Sequence, residues 1–267
     1  MLVGGAAALG VVAERLARRP VARTLVTAAA TWVVLGGASL AREGAALAGE
    51  LDRDDLGAAR TRLPSLCGRD PASLDAGGLA RAAAESVAEN TSDAVVAPLL
   101  WGAVAGVPGL LGYRAVNTLD AMVGHRSPRY LRFGWAAARL DDAANLVPAR
   151  AAALLVAGCA PAVGGSSRAA VRAWRRDAAA HPSPNAGPVE AAAAGALGVT
   201  LGGRTVYPHG VEDRPRLGDG SPPGPADLRR AARLSRLVGV AAAVLAGVLA
   251  GTATTIAVPR VRGSATV

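Results

Sequence analysis

Glu85, Glu89 and Asp93 lie four residues apart in the stretch AESVAENTSDAVVAPLLWG, residues 84–102. On an α-helix that spacing stacks three carboxylates on one face, where like charges repel by about 0.2–0.5 kcal/mol per pair. Two readings are open. Glu85 and Glu89 are solvated, or Glu85 pairs with Arg81 at i−4, an arrangement worth little on a surface. In the other, the three carboxylates await a divalent cation such as Mg²⁺, which takes oxygen ligands and keeps several waters. A second stretch, residues 113–150, puts Asn117 and Asp120 at i, i+3 and gathers Asp141, Asp142 and Asn145 between Arg139 and Arg150. Carboxylates opposite guanidiniums suit a phosphate held by metal and arginine together, with the two arginines as a bidentate clamp. His125 follows Gly124 in a turn, where a lone histidine is more often incidental than catalytic. A third stretch, HPSPNAGPVEAAAAGALGVTLGG from residue 181, reads as a helix start. Pro188 takes the first helical position, Gly187 the N-cap, and Glu190 lies in the first turn. Free N–H groups there would receive an anion near Asn185 and Gly187, with Glu190 taking an ammonium. The plain alternative is a capped helix.

The elements that must position these residues are helical. Uncharged runs occupy 1–13, 24–41, 94–113, 151–167 and 237–259, and a spanning helix needs ~20 apolar residues. The run 237–259, bounded by Arg236 and Arg260, is the clearest span, and 24–41 is a second. The run 94–113 carries Pro98, Pro108 and four glycines, a density that fits a broken or re-entrant segment. Run 1–13 is too short to span. It lacks a basic n-region and a clear cleavage site, and so reads as the tail of a span. Between the runs lie polar connectors: 42–93, an amphipathic helix, a turn at CGRDPASLDAGG and an alanine-rich helix from about Leu79; 114–150, mostly helical; and 168–236, which includes the loop YPHGVEDRPRLGDGSPPGP. No stretch alternates with period two, so no sheet is expected. The fold expected is an all-α polytopic membrane protein with four to five apolar segments. It is one membrane domain over 1–267: a membrane region 1–41, a motif-bearing core 42–236, and a last helix and tail 237–267.

Composition agrees. Charged residues are 18% of the 267, below the ~25% of soluble domains, and mean hydropathy is +0.30. All 29 basic residues are arginine, which excludes a P-loop or Schiff-base lysine. The net charge of +9 accompanies only 3% aromatic residues. That leaves no stacking platform for nucleic acid, and the arginines fall between apolar runs as the positive-inside rule places them. Cys67 and Cys159 have no metal-ligand spacing and form no disulfide framework.

Taken together, ESVAENTSDAVVAPLLWG, the block 113–150 and HPSPNAGPVEAAAAGALGVTLGG resemble the signature blocks of the membrane adenosylcobinamide-phosphate synthases of cobalamin biosynthesis, over roughly residues 40 to 240. The resemblance implies a multi-pass protein of the bacterial inner membrane, embedded in the lipid bilayer, beside other membrane enzymes of late cobalamin assembly. It implies amide formation between adenosylcobyric acid and (R)-1-amino-2-propanol phosphate, with ATP as co-substrate and Mg²⁺ as cofactor. A corrinoid-binding or transport subunit without catalysis is the alternative. Within this frame Glu85, Glu89, Asp120 and Asp142 are the expected catalytic residues. Asn90, Asn117, Arg139, Asn145, Arg150, Asn185, Gly187 and Glu190 are the expected substrate contacts, and Glu85, Glu89, Asp93, Asp141 and Asp142 the metal ligands. No Gly-rich nucleotide loop is recognisable. Family members carry an upstream Asp…Gly-Glu-Pro-Pro…His-Pro-Val segment that this sequence lacks, so Met1 is expected to fall inside the second apolar segment of the pattern. For the three blocks to meet outside the membrane, 94–113 or 151–167 must be re-entrant.

Overall fold

The computed structural model describes residues 1–124, 132–207 and 210–257; His125 and the end of the last apolar run lie outside them. Two apolar helices come first, α1 (Leu2–Leu16) and α2 (Pro20–Val34), the second opened by its proline. After Gly36 follow α3 (Gly37–Asp52), α4 (Leu56–Arg62) and α5 (Ala76–Thr91). Side-chain caps start the last two: Asp55 accepts the Ala58 N–H at 2.9 Å and Asp75 the Gly78 N–H at 2.7 Å, satisfying orphan donors of the first turn. From α5 the helix continues through a π-turn at Ser92–Val96 into α6 (Ala97–Val123).

α6 doubles back on itself. A straight helix would carry Tyr113 about 30 Å from Asp93, yet the Tyr113 hydroxyl lies 3.1 Å from the Asp93 carbonyl oxygen. The reversal is at Gly106 (φ 64°, ψ −148°), a backbone region essentially restricted to glycine. Gly102 lets the arms close, since a Cβ there would stand 2.8 Å from a Leu110 methyl. Glu14 of α1 accepts the Val107 N–H at 2.9 Å, so a donor released by the reversal is paired. The apolar run 94–113 therefore returns to the side it left. Gly106→Ala should cost about 1–3 kcal/mol of stability, read as a lowered unfolding midpoint in detergent; an unchanged midpoint would mean that the turn relaxes.

The remaining helices are α7 (Trp135–Cys159), α8 (Ser167–Asp177), α9 (Ala186–Leu197) and α10 (Pro225–Ala257). α3, α5, the second half of α7, α9 and the first half of α10 share one core around Leu47, Leu79, Val87, Val156, Val189 and Leu228. Large exposed apolar side chains lie elsewhere: on α1 and α2, at Trp101 and Val104, at Trp135, Leu140, Leu146 and Val147, and along α10 at Val240, Val244 and Val248. Four helical stretches, 20–52, 76–123, 135–163 and 225–252, are long and apolar enough to cross a membrane. The protein is an all-α polytopic membrane protein with a helical body at one end of its apolar belt. The apolar run 151–167 belongs largely to that body. Ala152, Ala153, Val156, Ala157 and Ala160 are buried in the core, so their apolarity serves packing, with Leu154 exposed.

The expectation of no sheet is corrected by a small hairpin, β1 (Leu201–Tyr207) and β2 (Gly210–Leu217), with Leu201 opposite Leu217 and Thr205 opposite Glu212. Its alternation is hidden. An irregularity between Leu201 and Gly203 shifts the register, and both Gly202 and Gly203 have positive φ, the kind of break a bulge introduces.

Candidate functional site

The reversal at Gly106 brings the three blocks together at the polar end of the apolar belt. α5 delivers Glu85, Glu89 and Asn90; α9 delivers Glu190; the turn before α5 supplies Arg69 and the hairpin Arg214. These six line a cavity of about 230 Å³. Glu85 is 3% exposed. One carboxylate oxygen is ion-paired with Arg69, and the other accepts the Gly202 N–H at 2.7 Å. Both oxygens are thus engaged, as a charge taken out of water requires. Arg81, the partner the spacing offers Glu85, donates instead to the Arg204 carbonyl at 2.8 Å.

Glu190 is buried, with Oε1 3.8 Å from His181 Nε2. His181 Nδ1 lies 3.1 Å from the Ser183 backbone nitrogen and 3.2 Å from the Ser183 carbonyl oxygen, and Nε2 faces Glu190 and Arg214. Burial, reinforced by the charges of Glu89 and Glu85, holds the Glu190 carboxyl well above the usual carboxylate range. Burial likewise pushes His181 down. Both shifts favour the uncharged form of each group. Because the folded chain keeps a proton on Glu190 that the unfolded chain releases near pH 4.3, the stability tied to that proton is full below that pH and is lost as pH rises through the raised value. Glu190→Gln should therefore gain on the wild type as pH rises above the ordinary carboxylate range, read as the difference in unfolding midpoint. A difference that stays flat with pH would show that Glu190 is ionised throughout.

A second group adjoins the first. Asp141 accepts from Asn145 Nδ2 at 3.0 Å and from Asn117 Nδ2 at 3.4 Å, and the Tyr113 hydroxyl lies 2.8 Å from Asn145 Oδ1. Asn185 ties the third block to the second, donating to the Asp142 carbonyl at 2.8 Å, with Arg150 Nη1 3.4 Å from its Oδ1. Asp93 and Asp120 lie between the groups, within Coulombic reach of Glu89 and Asp141. Asp93 falls in the π-turn, a helix irregularity frequent at functional sites.

Several expected roles change. Arg139 and Arg150 stand eleven residues apart on one helix, about 16 Å, so they cannot clamp one phosphate. Arg139 is exposed and faces Asp142 at 3.6 Å, which puts the Asp142 carboxylate on the rim. α9 starts at Ala186, two residues before Pro188. The N–H groups of Asn185 and Ala186 donate to Ser183 Oγ, and that of Gly187 to the Ser183 carbonyl. The first N–H groups of that helix are thus satisfied within the chain. Gly187 is required for packing, because a Cβ there would stand 2.8 Å from His181 Cβ.

Among the described residues no three carboxylate, imidazole or thiol groups are gathered as a ready metal site. The oxygens of Glu85 and of Asp141 already accept from protein donors, and Asp142 faces Arg139. Glu89 and Asp93 remain. Burial and neighbouring charges act on both carboxylates. Two carboxylates suit an ion that keeps waters and completes its shell with substrate phosphate. Arg69, Arg214, His181 and Tyr113 were not singled out in the sequence. Each reaches the site from a distant position, without a spacing signal.

Fold and site together define a polytopic helical membrane protein whose re-entrant hairpin presents a carboxylate-and-arginine cavity at the edge of its apolar belt. The chain belongs to the family described as CobD/Cbib protein, whose model matches residues 1–235, a family of cobalamin biosynthesis proteins. It is 66% identical over 251 residues to the cobalamin biosynthesis protein CobD of Mycobacterium tuberculosis, covering 93% of this chain and 79% of that protein. The CobD proteins of Rhodobacter capsulatus and Geobacter metallireducens are 51% and 49% identical, over 72% and 80% of this chain and 60% and 67% of theirs. No solved structure matches it.

Proposed function

We propose that the chain joins adenosylcobyric acid to (R)-1-amino-2-propanol phosphate by an amide bond, with ATP as co-substrate, at the inner membrane and on its cytosolic side. The observation that supports this reading best is the cavity itself, where Glu89, Glu190, Asn90 and Arg214 face one another around the Arg69–Glu85 pair. A carboxylate condenses with an amine only after activation. ATP transfers its terminal phosphoryl group to the corrin carboxylate, the amine nitrogen attacks the acyl carbon, phosphate leaves, and the nitrogen gives up a proton.

Arg214 supplies fixed positive charge for a phosphate, as a planar fork of donors. Glu190 lines the cavity with a raised affinity for a proton, so in its ionised form it is a stronger base than an ordinary carboxylate for the proton the ammonium must lose. Asn185, Asn117 and Asn145 fix α6, α7 and α9 relative to one another, so Asp120 and Asp93 stay directed at the same space. Mg²⁺, held by Glu89 and Asp93, would neutralise phosphate charge. The test is to incubate the solubilised chain with adenosylcobyric acid, (R)-1-amino-2-propanol phosphate, ATP and Mg²⁺, and to look for adenosylcobinamide phosphate by mass. Corrinoid binding with no product would overturn the reading in favour of a carrier.

A further inference from the structure

An apolar groove of about 490 Å³ opens on another flank of the helix that carries the acidic site, between α2, α3, the start of α6 and α10. Trp32, Leu35, Val95, Leu99 and Val240 form its walls, and Arg236 stands at one end. That end is where α10 passes from its arginine-bearing turns (Arg229, Arg230, Arg233, Arg236) into the uncharged run beginning at Leu237. Trp32, 82% exposed, lines the same groove. Glycines hold the groove open. A Cβ at Gly37 would stand 2.7 Å from a Val95 methyl, and one at Gly239 would stand 3.3 Å from the other.

The contents must match two chemistries. Apart from Ser235 and Arg236 its lining is apolar, and it lies among exposed apolar side chains of α2 and α10, where the surrounding medium is acyl chain. Arg236 is exposed, and no described acidic side chain pairs with it, so its charge asks for an anion at the level where the apolar wall ends. One kind of molecule carries an anion directly joined to a long apolar tail and is present at that depth. We propose that the groove holds a single anionic phospholipid, with an acyl chain between Trp32 and Val240 and its phosphate on Arg236.

The test uses the full chain, purified in detergent after incorporation into nanodiscs of phosphatidylcholine and phosphatidylglycerol, with bound lipid counted by native mass spectrometry. One phosphatidylglycerol per chain should survive detergent that strips the rest. Arg236→Gln should lower its retention about fivefold (~1 kcal/mol). Ala243→Phe, at an exposed position lining the groove, should expel it while the unfolding midpoint holds. Retention unchanged in both variants, or phosphatidylcholine held as firmly as phosphatidylglycerol, would reduce the groove to ordinary annular lipid and overturn the proposal.

Discussion

Glu85→Ala should destabilise the protein by about 3–5 kcal/mol, more than any other single change at the site. The loss comes from what the substitution leaves behind. Arg69, itself 8% exposed, loses the carboxylate that neutralises it, and the Gly202 N–H loses its acceptor. Removing one member of a buried pair is costly because the other charge stays out of water. Replacing both by apolar residues of similar size avoids that cost, so Glu85→Leu with Arg69→Met should recover most of the stability without activity. Chemical denaturation in detergent of the single and double variants checks this. A single-variant loss below about 1 kcal/mol, the range of solvated pairs, would mean that water replaces the carboxylate.

The same pair shows where sequence reasoning reaches and where it stops. The four-residue spacing of Glu85, Glu89 and Asp93 announces a common acidic face, and the structure keeps the three along one helix. What the spacing cannot supply is a partner from elsewhere in the chain. Arg69 comes from a turn before α5 and Arg214 from a hairpin more than a hundred residues later, and neither position is marked by periodicity. Arg81, which is marked, turns away to a strand carbonyl. Local rules see only neighbours along a helix.

Apolar runs are ambiguous for a related reason. A continuous apolar stretch is consistent with either lipid or a protein core. The run 94–113 is legible because Pro98, Pro108 and its glycines advertise a break, and Gly106 is where the chain turns. The run 151–167 carries no such mark. Its alanines pack under α9 because the residues facing them there, from Ala191 to Ala194, are equally small. The hairpin escaped notice because glycine and charge occupy the positions where alternation would show, leaving Leu201, Thr205 and Leu217 as its inward residues.

Glu89→Gln should lower kcat by about 10²- to 10⁴-fold, the span typical of a group acting at the reacting centre, while the fold survives. Glu89 lines the cavity beside the charges of Arg214 and Arg69, and the amide keeps its size and shape while removing only its charge. Asp93→Asn should act in the same direction. If the two carboxylates hold Mg²⁺ together, each variant should also need more Mg²⁺ for half-maximal turnover, because fewer charged oxygens are left to bind it. Asp142→Asn is the control. Its carboxylate faces the exposed Arg139 at 3.6 Å, and only its backbone carbonyl, which the substitution keeps, serves Asn185. That variant should stay within about threefold of wild type, the worth of a surface pair. Turnover measured across a Mg²⁺ titration for the three variants separates the cases. Equal losses in all three would move the functional centre out to the rim of α7. Normal turnover in Glu89→Gln and Asp93→Asn would leave the acidic face of α5 a structural feature with no part in the chemistry.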